Sequence, residues 1–138
     1  MKIPFNVNLS GKTAIVTGGS GTLCSAMAYG LAVSGAKVAL IGRNKEKMAK
    51  VVSELTDNAL KEHNATVTIN GYCCNVTDKE ELTKIYEAIK ADLGSCDILI
   101  NGAGGNQPGA ITSTEMLKKE EGADDYSFWN LDETKIRE

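Results

Sequence analysis

The sequence predicts an α/β protein built on an open, doubly wound parallel sheet. Three observations carry that prediction. Short apolar runs alternate with longer segments whose apolar residues recur at helical spacing. The runs are separated by whole helices, and strands joined by such crossovers must be parallel. The first and fourth runs end directly in glycine-rich turns, Gly18-Gly19-Ser20-Gly21 and Gly102-Ala103-Gly104-Gly105.

Thr13 to Thr17 (TAIVT) is the first strand, buried on both faces. After the glycine turn, Leu23, Met27, Leu31 and Ala32 recur at helical spacing, and Gly35 ends that helix. Lys37 to Ile41 (KVALI) is the second strand. Asn44 is a suitable N-cap for the next helix, whose apolar stripe is Met48, Val51, Val52 and Leu55 and which runs out between Lys61 and Asn64. Thr66 to Tyr72 (TVTINGY) is rich in β-formers and alternates, so it is the third strand. Thr77 with Glu80 three residues on reads as the start of the third helix, with Leu82, Ile85, Ile89 and Leu93 as its stripe and Gly94 as its stop. Asp97 to Asn101 (DILIN) is the fourth strand. Right-handed crossovers then give a Rossmann-type sheet of order 3-2-1-4. In that order ligand sits beyond the carboxyl ends of strands 1 and 4, where both glycine turns lie. After Pro108 the pattern fades. Phe128, Trp129 and Leu131 form an apolar patch, and Asp132 is positioned to cap a helix near the last residue, Glu138.

Composition narrows the function classes. The 138 residues are 42% hydrophobic, enough for a core, and carry a net charge of −3. That mild acidity argues against a nucleic-acid or membrane-surface partner, either of which needs a basic face. No apolar run approaches a membrane span and Met1 to Leu9 lacks a secretory core, so a cytoplasmic protein is expected. The four cysteines, Cys24, Cys73, Cys74 and Cys96, include no C-x-x-C pair. Adjacent Cys73 and Cys74 point to opposite faces of a strand, so no metal site is expected, only reduced and mostly buried thiols.

A strand, a glycine turn and a helix in that order have a physical use. Glycine lets backbone approach a pyrophosphate closely, and the helix N-terminus offers unpaired N–H groups with partial positive charge. The residues Thr17-Gly18-Gly19-Ser20-Gly21-Thr22-Leu23-Cys24 resemble the T-G-x-x-x-G-x-G element of the short-chain dehydrogenase/reductase family. Thr22 and Cys24 stand where that element has its second and third glycines. Cys74-Asn75-Val76-Thr77-Asp78 resembles the family's D-V-T-D element, with Asn75 in place of the acid. Asn101-Gly102-Ala103-Gly104 resembles N-N-A-G, with Gly102 in place of the second Asn. The opening Pro4-Phe5-Asn6, the Leu23-Cys24 pair and Asn101 to Asn106 followed by Pro108 are similar to the D-mannonate oxidoreductase branch of the family, which interconverts D-mannonate and D-fructuronate.

The resemblance implies a nicotinamide dinucleotide held by Gly18, Ser20, Gly21, Thr22 and Leu23 at its phosphates. It further implies Asn75 and Val76 at adenine and Asn101, Gly102, Ala103 and Gly104 along the ribose. An acid at the end of the second strand selects NAD and an Arg accommodates the 2′-phosphate of NADP. Here Gly42 stands where the acid would be and Arg43-Asn44 follows. Arg43 and Asn44 are therefore assigned to the cofactor, which is expected to be NADP with NAD the alternative.

The family's chemistry uses a Ser, a Tyr-x-x-x-Lys pair and a helix Asn later in the chain, so no catalytic residue is expected within these 138 residues. The whole chain reads as the N-terminal part of one NAD(P)-binding domain, inactive by itself, with 105–138 poorly ordered. Tyr86 and Lys90 have the right spacing but lie in the third helix, so a partly buried Tyr86 and a solvated Lys90 are expected. His63, the single histidine, falls near a helix C-terminus, where positive charge is welcome. The charges from Lys118 to Asp125 read as a solvated segment. With no fifth strand, Asp97 to Asn101 presents an apolar edge, so a homo-oligomer or completion by a neighbouring chain is expected. Two other functions stay open: a non-catalytic nucleotide-binding module, and a reductase of other carbonyls such as 3-oxoacyl groups.

Overall fold

The computed structural model describes residues 7–105 together with 131, 132 and 134. Its elements alternate without exception: β1 (Thr13–Thr17), α1 (Thr22–Val33), β2 (Lys37–Gly42), α2 (Lys45–His63), β3 (Thr68–Cys73), α3 (Lys79–Leu93) and β4 (Ile98–Asn101). The strands form one parallel sheet of order β3-β2-β1-β4, as expected. The chain divides into two units after Ala103, and the sheet and its helices all lie in the first.

Alternation along the strands sorts the core into two layers. Ala14 and Val16 of β1 join Val38 and Leu40 of β2 and Ile69 of β3 on the face covered by α1 and α2. Ile15, Ala39 and Ile41 point the other way and pack on Ile89 and Leu93 of α3. β1 and most of β2 are buried on both faces, which is why they read as continuous apolar runs. Among the described residues, β4 is covered on one face only. Ile98 and Ile100 pack against the first layer, whereas Leu99 is 56% exposed on the other.

Helix ends follow local chemistry. Asn44 caps α2 by accepting the Lys47 N–H, as its position predicts. Gly35 and Gly94 take the positive φ that follows α1 and α3. The cap of α3 is one residue later than the sequence reading: Asp78, not Thr77, accepts the N–H groups of Glu80 and Glu81. Thr77 instead donates to Asn75 Oδ1. The acid three residues past the cap is therefore Glu81, and it reaches back to accept the Asn75 N–H at 2.9 Å. β3 begins at Thr68, two residues later than expected. Only Cys24 and Cys74 are buried; Cys96 is half-buried and Cys73 exposed, so the expectation of mostly buried thiols holds for two of the four. Cys73 is the last residue of β3, and its thiol donates to the Arg43 carbonyl. Asp132, in the second unit, accepts the backbone N–H of Thr134, which is helical. The expected disorder of 105–138 and the solvated segment Lys118 to Asp125 fall outside the described residues, apart from Gly105 and the three near the C-terminus.

At the amino ends of β1 and β4 one carboxylate ties the strands together. Asp97 accepts from Lys12 Nζ and from the Thr13 N–H, both at 2.9 Å. The Lys12 ammonium, then the Thr13 N–H, hold the Asp97 carboxyl below the usual carboxylate range. A depressed pKa contributes stability above the unfolded-state value and loses it as pH falls through the folded value. We expect Asp97→Asn to lower stability at neutral pH and to flatten the acid limb of the stability profile, measured by urea unfolding across a pH series.

Candidate dinucleotide crevice

At β1 the sheet reverses direction, since β2 and β4 flank it and the connections to them run to opposite faces. Thr17 and Asn101, the last residues of β1 and β4, are register partners. The two glycine turns therefore leave the sheet side by side. Gly18 has φ +67, and a Cβ there would come within 2.5 Å of the Gly102 carbonyl oxygen and 2.9 Å of the Ala103 nitrogen. Only glycine satisfies both the dihedral and the approach. Thr17 clasps the turns: its Oγ1 accepts the N–H groups of Gly102 and Ala103 at 3.0 and 3.1 Å. Thr17 opens the glycine element, but nothing in the sequence pairs its hydroxyl with Gly102 and Ala103.

α1 opens on this crevice, and its N-terminus differs from those of α2 and α3. Gly21 caps it without a side-chain hydrogen bond, and its first turn carries no acid. α2 and α3 each have a capping side chain and acids in the first turn. The partial positive charge at the start of α1 thus has no partner among its own side chains. Ser20 and Gly21 are half-buried and Thr22 and Leu23 are exposed, Leu23 at 73%.

The other assigned residues surround these turns. At the end of β2, Arg43 and Asn44 are exposed. The Asn44 side-chain oxygen is committed to capping α2, and the Arg43 carbonyl accepts the Cys73 thiol. A Cβ on Gly42 would lie 2.7 Å from Met48 Cε, so Met48 fills the place an acidic side chain would take. Beyond β3, Asn75 is exposed with its Oδ1 engaged by Thr77, while Val76 packs in the α3 layer. Gly102 and Ala103 are exposed on the β4 turn, and Gly104, the first residue of the second unit, has no heavy atom within 4 Å of where its Cβ would stand.

A largely apolar groove of about 660 Å³ extends from the crevice under α3, with walls that include Val76, Leu82, Tyr86, Leu99 and Ala103. Tyr86 lies in α3 as expected but is more open than expected, 39% exposed on the groove wall, and Lys90 is exposed. His63 ends α2 as expected and lies near the Tyr29 ring, with centroids 6.0 Å apart.

Strand order, crevice and open helix terminus define a Rossmann-like α/β protein. The short chain dehydrogenase family profile matches residues 12–126, and the chain belongs to that family. It is 46% identical over 131 residues to an uncharacterized oxidoreductase, UxuB, of Bacillus subtilis (95% of this chain, 44% of the relative). An uncharacterized oxidoreductase of Haemophilus influenzae is 38% identical, over 99% of this chain and 45% of the relative. A solved structure from Haemophilus influenza, provisionally assigned as a D-mannonate oxidoreductase and holding NAD, superposes with a TM-score of 0.77 at 36% identity, over 96% of this chain and 45% of that one. A metagenomic short-chain oxidoreductase in complex with NADP gives 0.62 at 27% identity, over 74% and 42%. The chain thus spans less than half the length of each of these relatives.

We expect Gly18→Ala to cost about 1–3 kcal/mol, the strain of a side chain in the left-handed region, before the clash with Gly102 is added. Urea unfolding measures it; Gly104→Ala, which meets no neighbour, is the control and should change little.

Proposed function

We propose that this chain is the cofactor-binding part of an NAD(P)-dependent short-chain oxidoreductase acting on a sugar acid, interconverting D-mannonate and D-fructuronate. The observation that carries the reading is the uncapped start of α1 beside the Gly18–Gly102 contact. A pyrophosphate there would accept from the Thr22 and Leu23 N–H groups and meet the positive end of the helix. The backbone suits such a group: the first turn of α1 carries no acid and no capping side chain, which leaves its N–H groups to an anion. Asn101, Gly102, Ala103 and Gly104 would run along the ribose. Val76 and Asn75 would meet adenine, with Asn75 Nδ2 as donor because its Oδ1 is already engaged. The bound nicotinamide supplies the hydride acceptor or donor. The proton-transferring residues are assigned to the part of the protein beyond this chain, and 1–138 to the first part of a single domain.

NADP is the preferred form. The end of β2 presents an exposed Arg43 and has no acid, with Met48 in its place. A charge-assisted bond from Arg43 to the 2′-phosphate contributes on the order of 1.5–3 kcal/mol, about tenfold or more in affinity. The NAD in the Haemophilus structure supports the opposite preference. Titration calorimetry on the complete gene product decides: tighter NADP binding that disappears in Arg43→Ala is expected, and equal or better NAD binding by the parent would reverse the choice.

The sugar-acid reading rests on the sequence resemblance and on the provisional assignment of the Haemophilus structure. Among the described residues no helix is long and apolar enough to cross a membrane. A homo-oligomer is proposed because β4, among the described residues, pairs on one side only. We expect the complete gene product to reduce D-fructuronate with loss of nicotinamide absorbance. Turnover confined to 3-oxoacyl substrates would redirect the assignment, and dinucleotide binding without turnover of any carbonyl would favour a binding module.

A further inference from the structure

Gly102 has no room for a side chain because Cys24 occupies the space. A Cβ built on Gly102 would overlap Cys24 Sγ, the closest approach of any described glycine, and would stand 3.0 Å from the Thr17 carbonyl oxygen. Cys24 is buried in the first turn of α1 and begins the stripe of small buried residues, continued by Ala28 and Ala32, that packs in the first core layer. Its neighbours there are apolar, so its thiol acts through volume. Gly102 is held from other sides as well. Its N–H and that of Ala103 donate to Thr17 Oγ1, and its carbonyl lies against Gly18. A group added at position 102 must therefore turn the Cys24 thiol into the packed first core layer, push α1 away, break the Thr17 clasp, or separate the two turns.

We propose that Cys24 and Gly102 are a matched positioning pair: the thiol on α1 and the bare backbone after β4 together set the width of the crevice, and through it the affinity for a nicotinamide dinucleotide. The affinity part rests on the function proposed above; the spacing part does not. Two of the departures from the family pattern, Cys24 and Gly102, then share one cause. The side chain missing after β4 and the side chain gained on α1 occupy one volume.

The test is a double-mutant cycle in the complete gene product, with Cys24→Gly, Gly102→Ala and the two combined. Dinucleotide Kd is read by calorimetry using NADP and NAD, and Tm by calorimetric unfolding. We expect G102A alone to weaken binding by about tenfold or more, and C24G/G102A to return to within about threefold of the parent. Cys24→Ser, which keeps most of the volume, should bind like the parent. Additive effects in the cycle overturn the pairing. A G102A protein of lowered Tm but parental Kd overturns the positioning role and leaves only packing. If G102A does not fold, the double variant carries the test: a folded protein with near-parental Kd supports the pair, and failure of both overturns it. If the parent binds neither dinucleotide, the proposed function fails, while the Tm cycle still reads the spacing: coupling supports it and additivity overturns it.

Discussion

The contact between two backbone turns, Gly18 on one and Gly102 on the other, governs this end of the molecule. It exists because β1 and β4 are parallel neighbours that end in register, at Thr17 and Asn101. Parallel pairing aligns the strands' carboxyl ends, and the reversal of strand order at β1 leaves a gap there between helices of opposite faces. The gap is usable only if the turns bordering it are thin. Glycine at 18 and 102 makes them thin, and the Thr17 hydroxyl keeps them together. The apolar core below has a single task with respect to the crevice, which is to hold β1 rigid. β1 is buried along its whole length and takes part in both core layers.

Most of this frame was legible in the sequence because it depends on patterns that act locally. Period-two and period-3.6 spacing, the Asn44 cap and the stops at Gly35 and Gly94 are signals carried by a few adjacent residues. Strand order followed from crossover handedness. What escaped depends on contacts between residues far apart in the chain. Thr17 reads as one more strand residue until Gly102 and Ala103 are seen to donate to it. Met48 reads as core stripe until it is found filling the space beside Gly42. The cap of α3 lies one residue past the expected Thr77 because Thr77-Asp78 offers two adjacent capping side chains, each with an acid three residues on. Asn75 decides between them by engaging Thr77. Two residues assigned to the cofactor already use part of their hydrogen-bonding capacity within the chain: Asn44 caps a helix and Asn75 closes its own turn.

Helix capping bears on where function lies. A good N-cap stabilises a helix by about 1 kcal/mol, and α2 and α3 both take that stabilisation from Asn44 and Asp78. Both also place acids in the first turn, which adds a favourable interaction with the helix dipole. α1 takes neither: Gly21 offers no side chain and the first turn is Thr22, Leu23 and Cys24. Stability alone would favour Ser or Asp at position 21 and an acid soon after. An acid there would, however, repel the phosphate proposed to bind at this terminus. The same segment exposes Leu23 and buries Cys24, so the turn is closed toward the sheet and open toward solvent. A positive terminus that its own side chains leave uncapped, at the point where strand order reverses, is the feature on which the proposed dinucleotide site rests. Interior packing explains the small residues of α1 further along, at Ala28 and Ala32, but it gives no reason for the missing cap.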